Sequence, residues 1–99
     1  MKSLNDITQK LETLKPHLRQ AFSVNCIQIF GSYVRGEQTK KSDLDLLVTF
    51  LEPNDVDLLK FIELRLFLKD ELEIDVDLIE KDAIKPRMKE SILNEAVQV

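Results

Sequence analysis

Two aspartates, Asp43 and Asp45, stand with one residue between them at the start of a run of apolar, strand-compatible residues. Side chains alternate between the two faces of a β-strand, so both carboxylates are expected on one face and Leu44 and Leu46 on the other. Neighbouring carboxylates repel each other and cost stability unless something positive lies between them. Carboxylate oxygens suit Mg²⁺, so the pair predicts a site for a divalent cation.

A Gly-Ser pair, Gly31 and Ser32, precedes these aspartates by a spacer of ten residues. The pair follows a strand predicted over 24–30 and opens a short helix predicted over 32–35. The first N–H groups of a helix have no partners within the helix and attract anions. The turn is therefore predicted to offer free backbone amides and a hydroxyl to phosphate oxygens, although a Gly-Ser pair alone is usually an ordinary turn.

A further acidic segment lies at 72–79, where apolar and acidic residues alternate. The alternation predicts a strand with Asp75 and Asp77 on one face. If this strand neighbours the one predicted over 43–50, it adds a third carboxylate. Two metal ions roughly 3.5–4 Å apart can stabilise both the attacking and the leaving oxygen of an in-line transfer at phosphorus. Each acid alone could be a solvated strand face, but the ordered combination favours metal-assisted chemistry on a phosphate ester.

The remaining pattern predicts the elements that position these residues. Apolar residues over 4–22 recur at helical spacing, with Pro16 expected as a kink within one continuous buried stripe. A second helix is predicted from an N-cap at Asn54 to about residue 69, and a last one over 84–96. The predicted order is helix, strand, short helix, strand, long helix, strand, helix.

The long helix is apolar around most of its axis, because most residues over 56–68 are apolar. A single buried stripe needs fewer apolar residues. A helix enclosed within its own domain is one interpretation, but a chain of 99 residues has little material to cover both sides. The pattern therefore also predicts a surface for a partner protein or for a second copy of the chain.

The composition limits the classes of protein. Ninety-nine residues, 43% hydrophobic and 32% charged, are typical of one globular domain, expected over 1–99. A net charge of −4 does not supply the basic surface of non-specific nucleic-acid binding. No membrane span or secretory signal is recognisable. The single cysteine, Cys26, excludes an internal disulfide and fits a reducing cytoplasm.

The segment from residue 31 to residue 48, GSYVRGEQTKKSDLDLLV, resembles the signature of the MNT-type minimal nucleotidyltransferases of the DNA polymerase β-like superfamily. That signature is commonly written FGSxARG followed by SDxDL. The chain matches it in three places, FGS at 30–32, RG at 35–36 and SDLDL at 42–46. Val34 stands where alanine is more usual, and VDLI at 76–79 resembles the third-acid strand of the family. The likeness covers nearly the whole chain.

The resemblance implies an α+β fold with a small mixed, mostly antiparallel sheet backed by helices. It implies transfer of a nucleoside monophosphate, usually AMP from ATP, with two Mg²⁺ ions as cofactors. The implied roles are as follows: Gly31 and Ser32 hold the triphosphate, Arg35 steadies the phosphates or the turn, Asp43 and Asp45 ligate both metals, and Asp77 ligates one metal and helps to deprotonate the acceptor. Asp75 competes with Asp77 for the third position, and the VDLI match favours Asp77.

Minimal proteins of this kind are commonly paired with an all-helical HEPN protein, as antitoxin to its toxin. Some add AMP to a tyrosine of that partner, so the resemblance implies a HEPN toxin as partner and acceptor. Two alternatives remain open. The chain could be a binding module that masks its partner without catalysis, or a nucleotidyltransferase subunit that modifies a hydroxyl of a small molecule.

Overall fold

The computed structural model describes residues 2–99 and is built on a four-stranded sheet. The strands are β1 (Val24–Phe30), β2 (Leu44–Phe50), β3 (Val76–Glu80) and β4 (Val97–Gln98), in the spatial order β3-β2-β1-β4. β1 pairs antiparallel with β2 and with β4, whereas β2 and β3 are parallel. The predicted α+β fold with a mixed, mostly antiparallel sheet is confirmed.

Helices connect the strands in the predicted order as far as the last helix, but β4 after it was not predicted. The helices are α1 (Leu4–Phe22), α2 (Ser32–Arg35), α3 (Leu58–Leu72) and α4 (Pro86–Glu95), with a 3₁₀ turn at Lys81–Ala83. α1 begins with a reciprocal cap in which Ser3 and Asp6 each accept the other's backbone N–H at 3.1 Å. The helix continues through Pro16, so its apolar stripe is continuous as predicted. Among residues 2–99 no helix is both long and apolar enough to cross a membrane.

One face of the sheet forms the core. Leu44, Leu46 and Val48 of β2 are completely buried there, together with Ile27 and Ile29 of β1. α1 and α3 cover this face, and each fully buried aliphatic side chain contributes about 1.5–3 kcal/mol of burial free energy. Because strand side chains alternate, Asp45 points to the opposite face. The core thus fixes the strands without enclosing the predicted site.

The prediction that Asn54 caps the long helix is wrong. α3 begins at Leu58, and the Asp57 carboxylate accepts the N–H of Lys60 at 2.8 Å as its N-cap. Asn54 instead braces the preceding turn, where its side chain donates to Leu51 O at 2.8 Å and accepts from Val56 N at 3.0 Å. Asparagine and aspartate both favour caps and turns, so residue type alone did not separate the two positions.

Two predicted strand boundaries also need correction. The segment predicted as a strand over 72–79 is a strand only from Val76, because Leu72 is the last residue of α3 and Glu73 ends the helix with φ 59°. Leu68 and Leu72 are four residues apart and both buried, so the apolar pattern fits a helix up to that point. Asp43 was predicted inside a strand but lies just before β2.

α3 has two apolar faces, as its composition predicted. Leu64, Leu68 and Leu72 are buried against the sheet. The opposite side leaves large apolar side chains in solvent: Leu58 is 75% exposed, Leu59 65%, Leu66 49% and Ile62 38%. We call these four residues the α3 outer face. Scattered exposed leucines are ordinary, but a continuous group on one helix face is typical of a contact surface.

Candidate active site

Three neighbouring strands bring the predicted site residues into one row. Phe30, just before Gly31, is opposite Asp45 in the antiparallel register of β1 and β2. Asp45 is in turn opposite Asp77 in the parallel register of β2 and β3. Since neighbouring strands lie about 4.8 Å apart, the turn, the middle acid and the third acid are adjacent. The pairing of β2 with β3 therefore brings together Asp45 and Asp77, which are distant in sequence.

The carboxyl group of Asp45 has a raised pKa. Its pKa rises to about 6, mainly because it is half-buried, and further because the negative charges of Asp77 and Asp43 lie nearby. The positive charge of Arg35 opposes this shift with a smaller effect. Part of the rise in the pKa of Asp45 therefore comes from repulsion by the charges of Asp77 and Asp43. A divalent cation would relieve that repulsion.

Asp77 and Asp75 differ in what they contact. Asp77 is exposed and in register with Asp45. Asp75 lies before β3, and its carboxylate forms an ion pair with Lys69 Nζ at 3.0 Å. Its carbonyl oxygen accepts the N–H of Leu44 at 2.8 Å. The geometry thus brings Asp77 to Asp45, while Asp75 is held toward α3.

The donor set fits magnesium. Asp43, Asp45 and Asp77 offer only carboxylate oxygens, the ligands that Mg²⁺ prefers, and Mg²⁺ commonly binds through one or two carboxylates plus substrate phosphates. Within residues 2–99, no three acidic, cysteine or histidine side chains yet converge closely enough to enclose an ion. The exposed Asp43 and Asp77 side chains have room to turn toward Asp45.

Gly31 allows the backbone to lie directly against Asp45. Its φ of 80° falls in a region that glycine adopts most easily. A Cβ built at this position would overlap the Asp45 Oδ2 atom and lie 2.9 Å from Asp45 Cγ. Ser32, half-buried, begins α2 immediately after the turn. Any larger residue at position 31 would push the turn and the carboxylate apart.

The prediction that the amides of this turn are free is wrong for Gly31. Its N–H donates to Oε1 of Glu95 at 2.7 Å. Arg35 donates to the same oxygen through Nη1 at 2.7 Å, and to Glu37 Oε1 through Nε at 2.6 Å. The hydrogen bond to Glu37 and the charge of Glu95 raise the pKa of the Arg35 guanidinium. The N–H groups of Val34 and Arg35 donate to Gly31 O, so the amides of this turn that are left for an anion are those of Ser32 and Tyr33.

Glu95 was missed in the sequence analysis. It lies at the end of α4, just before β4, and nothing in the residue pattern of the last helix distinguishes it from the other charged residues there. β4 has only two residues, too few for a recognisable alternation. The signal that could have found Glu95 is the register of β4 against β1, which is a property of the folded sheet.

A groove of about 1090 Å³ lies between α3 and the loop that precedes Asp43. Lys40, Lys41 and Ser42 line it on the loop side, directly before Asp43. Leu66 and the neighbouring residues of α3 line the other side. Both lysines are exposed, in agreement with their prediction as solvated loop charges. The groove connects the surroundings of Asp43 with the α3 outer face.

A mixed sheet with a Gly-Ser turn on one strand and paired acids on the next two defines the class of small α+β nucleotidyltransferase folds. Residues 11–99 match the family described as nucleotidyltransferase domain, and the chain belongs to this family. It is therefore a nucleotidyltransferase, as the resemblance implied.

Named relatives match the chain along its length. A Methanocaldococcus jannaschii protein, provisionally named a protein adenylyltransferase, is 45% identical over 100% of both chains. The protein adenylyltransferase MntA of Thermococcus cleftensis is 43% identical over 100% of this chain and 98% of its own. A crystal structure of a toxin-antitoxin with AMP-PNP has a TM-score of 0.72 at 27% identity, covering 91% of this chain and 69% of that one.

Proposed function

We propose that this nucleotidyltransferase transfers AMP from ATP to a hydroxyl group of a partner protein, with Mg²⁺ as its cofactor. One observation carries the proposal: Asp45 and Asp77 are directly opposed on neighbouring strands, beside the Gly31 turn. Relatives named as protein adenylyltransferases support the nature of the transferred group and the acceptor. We further propose that residues 1–99 act as one catalytic domain in the cytoplasm.

Each residue of the row has a separate task in this reaction. The Ser32 hydroxyl and the N–H groups of Ser32 and Tyr33 hold the triphosphate, and the close approach of the Gly31 backbone to Asp45 keeps this anion beside the acid. Asp43, Asp45 and Asp77 would hold two Mg²⁺ ions, which neutralise phosphate charge and lower the pKa of the acceptor hydroxyl. The acceptor oxygen attacks the α-phosphorus of ATP, pyrophosphate leaves, and Asp77 takes the acceptor proton.

Label transfer from α-labelled ATP tests the proposal. The protein is incubated with Mg²⁺ and with the product of the neighbouring gene as acceptor. We expect transfer by the natural protein and a loss of about 100-fold or more in Asp45→Asn and Asp77→Asn, a size usual for groups that act directly in proton transfer or charge stabilisation. Asp75→Asn is the matched control and should keep its rate within about threefold.

Two results would contradict it. No transfer by the correctly folded natural protein with any divalent cation would overturn the enzymatic proposal for this acceptor. Loss of transfer in Asp75→Asn but not in Asp77→Asn would reverse the assignment of the third carboxylate.

Arg35, which contacts Glu95 and Glu37, is proposed to steady the turn.

We propose an all-helical HEPN toxin as the partner and one of its tyrosines as the acceptor. The toxin-antitoxin complex with AMP-PNP supports a toxin as the partner. The α3 outer face supports a helical contact, because a helix can bury an apolar stripe against another helix. The groove beside Leu66 of this face reaches Ser42, directly before Asp43.

The α3 outer face also favours a second candidate, a module that masks its partner without transferring AMP. Replacing Asp43 and Asp45 by asparagine separates the two. A masking module keeps complex formation and neutralisation of the toxin in this double variant, whereas an adenylyltransferase keeps the complex and loses lasting neutralisation. The opposed acids favour the enzyme, because unneutralised acids destabilise a module that has no use for them.

A further inference from the structure

We propose that Glu95 is a positioning residue of the active site, which holds the Gly31 turn against Asp45. One carboxylate oxygen, Oε1, accepts from Gly31 N–H and from Arg35 Nη1, both at 2.7 Å. Hydrogen bonds that involve an ionised partner are shorter and stronger than neutral ones. This inference rests on the proposed function, since it names a further residue on which the same site depends.

The pairing of β4 with β1 dictates where Glu95 lies. Val97 is opposite Ile29 in this antiparallel register. Glu95 comes two residues before Val97 and Gly31 two residues after Ile29, so continuing the register brings Glu95 opposite Gly31. The pairing of β4 with β1 thus places Glu95 beside the Gly31 turn.

Further hydrogen bonds anchor the chain beyond Glu95. Val99 N–H donates to Ile27 O at 3.1 Å, and Gln98 Nε2 donates to the same oxygen at 3.0 Å. Lys15 Nζ of α1 donates to Val99 O at 2.9 Å. The segment that carries Glu95 is therefore tied to both the sheet and α1, which makes it a firm support for the turn.

The turn needs such a support because of its conformation and its neighbour. Gly31 adopts φ 80° and ψ −152°, and glycine gives up more conformational freedom on folding than other residues. Its backbone lies so close to Asp45 that a Cβ would overlap the Asp45 carboxylate. If the Gly31 peptide rotates, the surface against which Asp45 rests is displaced. Geometry at an active site must be held within a fraction of an ångström.

The charge of Glu95 assigns it an indirect role. A carboxylate repels the phosphates of a nucleotide, so Glu95 is not a nucleotide ligand. It instead accepts one Arg35 N–H and the Gly31 N–H, which leaves the N–H groups of Ser32 and Tyr33 for an incoming anion. In the alternative, the Glu95 carboxylate occupies the position that a phosphate of the nucleotide would take. Removing Glu95 should then strengthen nucleotide binding.

Amide exchange at Gly31 tests the contact independently of activity. In Glu95→Ala the Gly31 N–H loses its acceptor, and we expect its hydrogen exchange, followed by NMR, to be at least tenfold faster. Glu95→Gln keeps an oxygen at the same place and should retain most of the protection. Glu90→Ala, an exposed position on the same helix, is the matched control and should leave Gly31 unchanged. Unaltered exchange in Glu95→Ala would overturn the inference.

Calorimetric titration with ATP and Mg²⁺ tests the role in the site. We expect Glu95→Ala to bind ATP at least tenfold more weakly per folded molecule, with Glu95→Gln intermediate and Glu90→Ala unchanged. Equal affinity in all variants would reduce Glu95 to a purely structural contact, and tighter binding in Glu95→Ala would mean that it occupies the place of a phosphate. Either result overturns the positioning role.

A double variant shows whether Glu95 acts partly through Arg35. If it does, Arg35→Ala with Glu95→Ala should lose less affinity than the product of the two single losses. If the double variant loses as much ATP affinity as the product of the two single losses, Glu95 and Arg35 act independently, and the part of the inference that concerns Arg35 is overturned. Failure of the proposed function is separable, because it would be seen as no ATP binding by the natural protein itself, whereas Gly31 exchange still reports on Glu95.

Discussion

Asp45 lies directly opposite Asp77 in the parallel register of β2 and β3, and half-burial together with the charges of Asp77 and Asp43 raises the pKa of Asp45 to about 6. The arrangement places a half-buried carboxylate beside two like charges at the start of β2 and β3. It is unfavourable for the metal-free fold, and it is what a site for a divalent cation requires. Stability and function therefore make opposite demands on Asp45.

The Asp45 carboxyl group should make the metal-free protein less stable as the pH rises from about 4 to about 7. An aspartate has a pKa of about 3.9 when unfolded, and Asp45 has one of about 6 when folded. Between these values the folded chain binds more protons than the unfolded one, so the free energy of unfolding falls with rising pH. Urea unfolding at several pH values, with a chelator present, measures the slope.

Asp45→Asn isolates this effect, because the amide keeps the shape and removes the charge. We expect the difference in stability between the variant and the natural protein to grow as the pH rises through about 6. At pH 7.5 the variant should melt roughly 2–5 °C higher. The expected gain is small because solvent screens the charges around the half-exposed Asp45. A variant that melts lower at pH 7.5 would show that Asp45 is already neutralised within the fold.

Mg²⁺ with ATP should stabilise the natural protein by ligand linkage. At a ligand concentration 100 times its dissociation constant, the gain is about 2.7 kcal/mol, which raises the melting temperature of a domain of this size by on the order of 10 °C. Thermal melts with Mg²⁺, with ATP and with both measure it. We expect the combined shift to disappear in Asp77→Asn, and a natural protein indifferent to both ligands would contradict the site.

The parts of the fold that the sequence predicted well are those in which local signals agree. β1 could be predicted residue by residue, because a buried apolar pattern ends at Gly31, and α2 follows from the same turn. The acidic pair was recognisable because Asp45 interrupts an apolar strand. Local propensity and tertiary structure coincide at these positions.

Other features depend on contacts that are distant in sequence. Leu72 fits the helical period of α3 as well as the strand period of the acidic segment, and packing against the sheet decides for the helix. The register that opposes Asp45 with Asp77 was expected only on the condition that the strands are neighbours. Glu95 reaches Gly31 only because β4 pairs with β1, and two residues of strand carry too little pattern to predict that pairing.

Gly31→Ala should damage both stability and activity. The new methyl group would overlap the Asp45 carboxylate, and alanine disfavours φ 80°. We expect a loss of about 2–3 kcal/mol in unfolding free energy, and label transfer reduced about 100-fold or more for the molecules that remain folded. Urea unfolding and the labelled-ATP assay measure the two effects.

Gly36→Ala is the matched control for this change. Gly36 has a similar φ of 72°, but a Cβ there would meet no atom within 4 Å. It should therefore lose about 1 kcal/mol through backbone strain alone and keep its affinity for ATP. Equal losses of activity in both variants would mean that strain in the loop, rather than contact with Asp45, explains the need for Gly31.

Charges placed on the α3 outer face should break the complex with the partner and leave the enzyme folded. Leu59 and Leu66 lie seven residues apart on one side of α3 and are 65% and 49% exposed, so replacing both by glutamate removes little buried area. In a docked complex the same residues would be desolvated, and two buried unpaired charges would weaken binding by several kcal/mol. We expect at least a hundredfold loss of affinity for the product of the neighbouring gene, measured by calorimetry, with unchanged melting temperature and unchanged ATP affinity.

Gln20→Glu, an exposed position on α1, is the control, because it adds charge away from the α3 outer face and should bind the partner normally. If the double variant instead converts a self-associated natural protein to a monomer and still binds the partner, the α3 outer face joins two copies of this chain, and the toxin contact lies elsewhere.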